Sequence, residues 1–174
     1  YRTAVGLDPA HAEAHSLLGL ALVQSGRADE GGPLLARAVQ LAPGDPGLRF
    51  NLAEGLIATG NLEEARRELL AVLEAQPRLV AAWVRLGDAA AAAGDDARAI
   101  DAWAKAGEID LTVNTAFKLA QTSLRYGQTD EALRFVDAGL SLFPADPVLK
   151  QLRCEILAAR RDWGGLEQFA RAWA

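Results

Sequence analysis

Prolines and small residues recur in this chain at a nearly constant interval of about 34 residues, and no other feature constrains the fold as strongly. Pro9, Pro43 and Pro77 are evenly spaced, and Pro144 follows after two further intervals. The same spacing defines a glycine column and a small-residue column, which are Gly26, Gly60, Gly94 and Gly127, and Gly19, Ala53, Gly87, Ala120 and Cys154. A fixed period of this length predicts a solenoid, whose units bury their apolar faces against their neighbours.

Each repeating unit is predicted to contain two antiparallel helices, because apolar residues recur every three or four positions on both sides of each column glycine. In the second unit, Leu52 and Leu56 point inward from the first helix, and Ala65 and Leu69 point inward from the second. The predicted helices cover residues 12–25, 28–41, 46–59, 62–75, 80–93, 96–109, 113–126, 129–142, 147–160 and 163–173, after a short helix within 1–7. The sequence therefore predicts an all-α fold.

Local signals support the predicted helix ends. Asp45 and Asp146 each stand directly before a proline, which is typical of an N-cap carboxylate followed by proline at the first helical position. Asn61 and Glu64 have the spacing of a capping box. The column glycines come just after first helices, where a left-handed residue is favoured.

Composition excludes several classes of partner. The net charge is −5 and the basic residues are scattered, so nucleic acid is not expected as a partner. No segment approaches about 18 apolar residues in succession, so membrane insertion is not expected. The single cysteine, Cys154, excludes an internal disulfide and is expected to be small and buried. We expect a cytoplasmic location, with the periplasm as the alternative.

No catalytic or cofactor chemistry is predicted for these residues. His11 and His15 are four positions apart, but no third metal ligand with suitable spacing accompanies them. No nucleophile is placed beside a base. We therefore expect no enzymatic activity in this chain and no cofactor. Because the chain opens on Tyr1 within a helical pattern, we expect it to be a piece of a longer polypeptide.

The residue types within each unit carry a family resemblance. The matching positions are Leu18, Gly19, Leu22, Gly26, Leu35, Ala38 and Pro43 in the first unit, Leu52, Ala53, Leu56, Gly60, Ala65, Leu69 and Pro77 in the second, and Trp83, Leu86, Gly87, Gly94, Ala99, Trp103 and Ala106 in the third. This pattern resembles the tetratricopeptide repeat. The resemblance implies a right-handed α-solenoid of antiparallel helix pairs with about five repeats.

We expect a single array over residues 1–174. It comprises the tail of a preceding repeat at 1–11, repeats at 12–45, 46–79, 80–112 and 113–146, and a degenerate terminal repeat at 147–174. Leu111 replaces the proline of the third repeat, so that junction is expected to pack at an altered angle. Arg161 replaces the glycine of the terminal repeat, and Trp173 occupies a column of alanines, which indicates the end of the array or a joint to another domain.

The family resemblance also implies a concave groove lined by the first helices, where a peptide binds. The predicted groove residues are Leu20, Phe50, Asn51, Glu54, Ile57, Val84, Arg85, Asp88, Phe117, Lys118, Gln121, Leu124 and Arg125. Phe50, Val84 and Phe117 hold equivalent places and are expected to form an apolar row. The alternative is that these three side chains pack between adjacent helices and expose little.

The charged groove residues also have two interpretations. Glu54, Arg85, Asp88 and Lys118 either orient a bound peptide or pair with one another. Some tetratricopeptide domains grip the terminal carboxylate of a chaperone with a Lys, Asn and Arg set. Asn51 and Arg85 match only two of those places, so this clamp is incomplete.

These observations predict a protein-interaction module that binds a peptide or helical segment of a partner protein. The alternative is a substrate-recruiting domain of a larger bacterial enzyme, such as a glycosyltransferase or a sulfotransferase. A third expectation is a homo-oligomer formed through the terminal helices.

Overall fold

A computed structural model describes residues 1–173, and the side chains of residues 1–172. Within this range the chain is all-α, with eleven helices and no strand. The helices are α1 (Arg2–Leu7), α2 (Ala12–Gln24), α3 (Ala28–Leu41), α4 (Pro46–Ala58), α5 (Leu62–Ala75), α6 (Val80–Ala92), α7 (Asp96–Ile109), α8 (Val113–Arg125), α9 (Thr129–Leu142), α10 (Pro147–Ala159) and α11 (Trp163–Trp173). The side chain of Trp173 and the last residue of the predicted terminal repeat lie outside the described residues.

The predicted helices are confirmed, and those from α2 onward begin at the predicted residue. The first helix of each repeat ends one position earlier than predicted, because its last predicted residue has left the helix and serves as the C-cap. The column glycine, or Arg161 in the last repeat, follows that cap directly. The repeat spacing therefore predicts how many helices there are and where each begins, and it places the ends of the first helices one residue too late.

The chain divides into two compact units, Tyr1–Asp95 (unit 1, α1 to α6) and Asp96–Ala174 (unit 2, from α7 onward). In unit 1, successive helices from α1 to α6 pack together, and α4 also contacts α2 and α6. In unit 2, successive helices from α7 to α11 pack together, and α10 also contacts α8. The division falls within the predicted repeat at 80–112, so the single array and the altered angle near Leu111 stay predictions.

The core of unit 1 depends on close helix crossings at small residues. A methyl group added to Gly31 of α3 would lie 2.5 Å from the carbonyl oxygen of Gly19 on α2. One added to Gly19 would lie 2.8 Å from Cγ of Leu35. In the next repeat, Ala53 and Ala65 hold the equivalent places and are fully buried. Paired helices thus approach almost backbone to backbone.

Unit 2 repeats this arrangement with alanines and larger apolar side chains. Its central cluster of buried residues is Ala116, Ala120, Ala132, Val136, Leu149, Leu152 and Ile156. Cys154, predicted to be buried, is only half-buried, so that prediction is wrong.

Two of the three predicted N-caps are confirmed. Oδ1 of Asp45 accepts hydrogen bonds from the backbone N–H groups of Gly47 and Leu48, at 2.7 and 3.2 Å. Oδ1 of Asp146 accepts one at 2.9 Å from the first turn of α10. The capping box at Asn61 is wrong, because its side-chain amide donates to the hydroxyl of Thr59 at 3.0 Å and makes no cap bond to α5.

The glycine column has the backbone conformation that its sequence predicts. The four column glycines have φ between 72° and 80°, in the left-handed region. Arg161, at the equivalent position of the last repeat, has φ 61° and is the one non-glycine residue with positive φ in the described range. A side chain at such an angle costs about 1 to 2 kcal/mol relative to glycine.

The two adjacent glycines of α3 provide a stability test. Gly31→Ala is expected to lower the free energy of unfolding by about 1 to 3 kcal/mol, because the new methyl group overlaps the carbonyl oxygen of Gly19. Gly32→Ala is expected to change it by less than about 0.5 kcal/mol, because an added methyl group meets nothing within 4 Å beyond the neighbouring residues and the helical preference of alanine is offset by the clash of its Cβ with the ring of Pro33. Urea denaturation monitored by circular dichroism measures both. Equal effects of the two substitutions would contradict the close crossing.

Arg161 provides a second test. Arg161→Gly is expected to stabilise the α10–α11 pair by about 1 kcal/mol, because glycine adopts positive φ without the Cβ clash. Hydrogen exchange of the α11 amides measures this change. Arg161→Ala is the control, since it removes the arginine side chain but keeps Cβ. If alanine stabilises α11 as much as glycine does, the backbone angle is not the cause.

Candidate functional site

The first helices of unit 1 are linked through the predicted groove residues. Nδ2 of Asn51 on α4 donates to Oγ of Ser16 on α2 at 2.8 Å. Nε of Arg85 on α6 donates to Oε1 of Glu54 on α4 at 2.5 Å. These bonds place α2, α4 and α6 side by side, with residues of all three on one surface.

The charged groove residues of unit 1 pair with one another. Arg85 contacts Glu54, and its Nη1 lies 3.4 Å from Oδ2 of Asp88 one turn further along α6. The guanidinium therefore lies between two carboxylates and is already neutralised. Asn51 and Arg85, the two residues that match the chaperone clamp, both have partners within the chain, so neither is held ready for a ligand carboxylate.

The apolar groove residues of unit 1 are neither hidden nor fully exposed. Leu20 on α2, Phe50 and Ile57 on α4, and Val84 on α6 are all half-buried. Each keeps part of its side chain at the surface of its helix. That these four side chains contact another molecule stays a prediction.

Unit 2 contains the remaining predicted groove residues, all on α8. Phe117 and Leu124 are half-buried and pack against the buried cluster of α8, α9 and α10. Nζ of Lys118 lies 5.5 Å from the ring centroid of Trp103, within range of a cation–π interaction. Gln121 is exposed. Because Phe117 lies in unit 2, a continuous row of Phe50, Val84 and Phe117 stays a prediction.

Arg125, the last predicted groove residue, belongs to a small polar cluster at the end of α8. Its Nη2 lies 3.3 Å from Oδ1 of Asp96, and the hydroxyl of Tyr126 donates to Oδ2 of Asp96 at 2.9 Å. The repeat pattern did not predict Asp96 as a partner of Arg125. An acidic residue in the first turn of a helix is already explained by the helix dipole, so the sequence carries no further signal for it.

The two histidines have structural roles. Nδ1 of His11 accepts the backbone N–H of Ala14 at 3.1 Å and caps α2. Nε2 of His15 lies 3.0 Å from the carbonyl oxygen of Pro9, and because a carbonyl only accepts, this nitrogen carries the proton. Over residues 1–173, no three His, Cys, Asp or Glu side chains come together as a metal site. Likewise, no helix in this range has the length and apolarity to cross a membrane.

Comparisons with known proteins agree with the repeat pattern. Residues 22–82 match the family model described as tetratricopeptide repeat. TPR repeat-containing protein PA0015 of Pseudomonas aeruginosa is 43% identical over 56 residues, which are 32% of this chain and 53% of that protein. Residues 22–82 therefore carry the tetratricopeptide-repeat pattern. The chain spans about half the length of that relative and 14% of a second curated relative.

Solved structures show that the tetratricopeptide-repeat fold extends over most of the chain. A crystal structure of MamA superposes with a TM-score of 0.79 at 16% identity, covering 92% of this chain and 88% of that one. YrrB, described as a TPR protein with an unusual peptide-binding site, superposes with a TM-score of 0.74 at 14% identity, covering 97% and 87%. At these identities the likeness shows the fold, an α-solenoid of helix pairs, which confirms the predicted fold class.

The pairing of Glu54 with Arg85 can be measured by a double-mutant cycle. The substitutions Glu54→Gln and Arg85→Gln are expected to couple by about 0.5 kcal/mol, because both side chains are partly exposed and solvent screens the pair. The coupling should fall as salt is added. A cycle between Glu54→Gln and Arg78→Gln, which form no pair, should give coupling near zero. A salt-independent coupling would contradict an ionic link between α4 and α6.

Proposed function

We propose that this chain is a non-enzymatic interaction module that binds a peptide or a helical segment of a partner protein along the first helices. Tetratricopeptide repeats generally mediate protein–protein interactions, and the present proposal assigns the contact surface. The apolar anchors in unit 1 are Leu20, Phe50, Ile57 and Val84, and unit 2 contributes Phe117 and Leu124. The partner is expected to bring large apolar side chains at helical or extended spacing.

One observation carries the proposal: the apolar groove residues remain partly exposed while the charges between them are paired. Apolar side chains left at a surface and surrounded by polar groups are typical of interaction sites. The link from Glu54 to Arg85 and Asp88 removes the free cation that a carboxylate ligand would need. Binding is therefore expected to depend on apolar anchors, with the polar groups limiting the approach of other ligands.

The description of YrrB gives independent support. That protein shares the fold and is described as having a peptide-binding site. A protein of this fold can therefore bind a peptide. The alternative is a substrate-recruiting domain of a larger bacterial enzyme. One curated relative is far longer than this chain, because the 96 matched residues are 14% of it. The interaction module and the substrate-recruiting domain would use the same recognition surface. They differ in whether the chain is joined to an enzyme domain.

Selection from a displayed random-peptide library tests the surface directly, because the selection itself supplies the ligand. Peptides that bind the purified chain are expected to carry apolar anchors. Phe50→Asp should weaken a selected peptide at least tenfold, since buried anchors at interfaces contribute about 2 kcal/mol or more. Phe117→Asp should weaken a peptide long enough to reach α8. Isothermal titration calorimetry measures the affinities.

Leu70→Asp is the matched control, because Leu70 is an exposed apolar residue of unit 1 on the second helix α5. It should leave peptide affinity unchanged. Circular dichroism should show the same helix content in all three variants. If peptides selected on the parent chain bind both phenylalanine variants with unchanged affinity, the ligand does not use the first helices and the proposal is wrong.

A further inference from the structure

Unit 1 has a cavity of about 330 Å³ between α3, α4 and α5. Gly32, Pro33 and Ala36 of α3 and Leu52 and Leu56 of α4 form its apolar floor. None of the predicted groove residues lines it. The cavity is therefore a separate surface from the one proposed above.

The wall of the cavity that α3 forms has small residues where the next second helix has large ones. Gly32 and Ala36 correspond, one repeat later, to Arg66 and Leu70 of α5. A methyl group added to Gly32 would meet nothing within 4 Å, so the space beside α3 is open. The sequence thus leaves a hollow at this position that an aliphatic chain from another molecule can fill.

The rim of the cavity is acidic, and its carboxylates are not paired. Asp29 of α3 and Glu64 of α5 both line the cavity, and within the described residues neither has a hydrogen-bond or ion-pair partner. Asn61 directs its side-chain N–H to Thr59, which leaves its carbonyl oxygen as a further acceptor. Among the residues that the structure describes, no lysine or arginine lines this cavity.

The adjacent carboxylates on the same two helices behave differently. Glu30 accepts two hydrogen bonds from Arg27, and these bonds lower the pKa of its carboxyl below the usual value. Glu63 accepts from Arg66 at 3.0 Å. Glu30 and Glu63 are therefore paired with arginines, whereas Asp29 and Glu64 on the rim of the cavity are not.

A related cavity occurs in unit 2, which shows that the feature belongs to the repeat and not to one irregular loop. It measures about 430 Å³ and lies between α7, α8 and α9. Its lining residues Ala104, Leu119 and Glu131 correspond by repeat spacing to Ala36, Leu52 and Glu64 in unit 1. The unit 2 cavity, however, also contains Arg134 in its lining. The described lining of the unit 1 cavity has no such cation.

We infer that the unit 1 cavity binds an arginine side chain from a basic segment of a partner protein. The aliphatic stem would lie on the floor formed by Gly32, Ala36 and Leu56, and the guanidinium would donate to Asp29 and Glu64. Arginine fits better than lysine because its five donors can serve two carboxylates and an amide oxygen together. Unit 1 carries 12 acidic and 8 basic residues, which also favours the approach of a cationic segment.

Nuclear magnetic resonance of the ¹⁵N-labelled whole chain tests this inference with a defined probe. The probe is the blocked tripeptide acetyl-Gly-Arg-Gly-amide. It should produce saturable shifts in the backbone amides of Gly32, Ala36 and Gly55 and in the side-chain amide of Asn61. The same tripeptide with citrulline, which keeps the stem but lacks the charge, should bind at least fivefold more weakly. The lysine version should lie between the two.

Two double variants distinguish the effect of the rim carboxylates on binding from the effect of net charge. Asp29→Asn combined with Glu64→Gln should weaken the arginine probe at least fivefold. Glu30→Gln combined with Glu63→Gln changes the net charge equally, one position away on each helix, and should leave its affinity unchanged. Equal loss in both double variants, equal binding of the citrulline probe, or shifts confined to other residues would overturn the inference. None of these outcomes depends on binding along the first helices, so the two proposals fail separately.

Discussion

The close crossing of the two helices within each repeat is the constraint on which the described structure depends. At Gly19 and Gly31 in the first repeat, the backbones approach so closely that a single methyl group has no room. In later repeats, alanines such as Ala53 and Ala65 occupy these places and are fully buried. Such a crossing fixes how deeply each helix packs and how it is rotated about its axis. It therefore also fixes which residues lie on the outer face of the helix.

Two surfaces of unit 1 result from this arrangement, and they differ in how the chain treats its charges. On the first helices, Arg85 is held between Glu54 and Asp88, and the half-buried apolar side chains beside them are the contacts proposed for a partner. In the cavity beside α3, the carboxylates of Asp29 and Glu64 remain unpaired above an apolar floor. An exposed ion pair contributes little to stability, whereas an unpaired charge beside an apolar hollow can distinguish between ligands.

Several features of the fold were predictable because they depend on residues close together in the chain. The column glycines adopt positive φ, and Asp45 and Asp146 cap their helices as expected. Features that depend on the choice between two nearby partners were harder to predict. Asn61 turns its amide to Thr59 instead of capping α5, because both partners are within reach and sequence spacing does not rank them.

The sequence by itself determined the number of helices, the residues at which they begin and the repeat pattern, because a fixed repeat period acts through local helix formation and nearest-neighbour packing. It also indicated which residues lie on the first helices. Only the tertiary structure decided which charges pair, which apolar side chains keep exposed surface, and where a hollow remains beside Gly32. Those outcomes depend on distances between side chains of different helices. Such distances are set by how closely the helices pack, and the pattern of residues along the sequence does not give them.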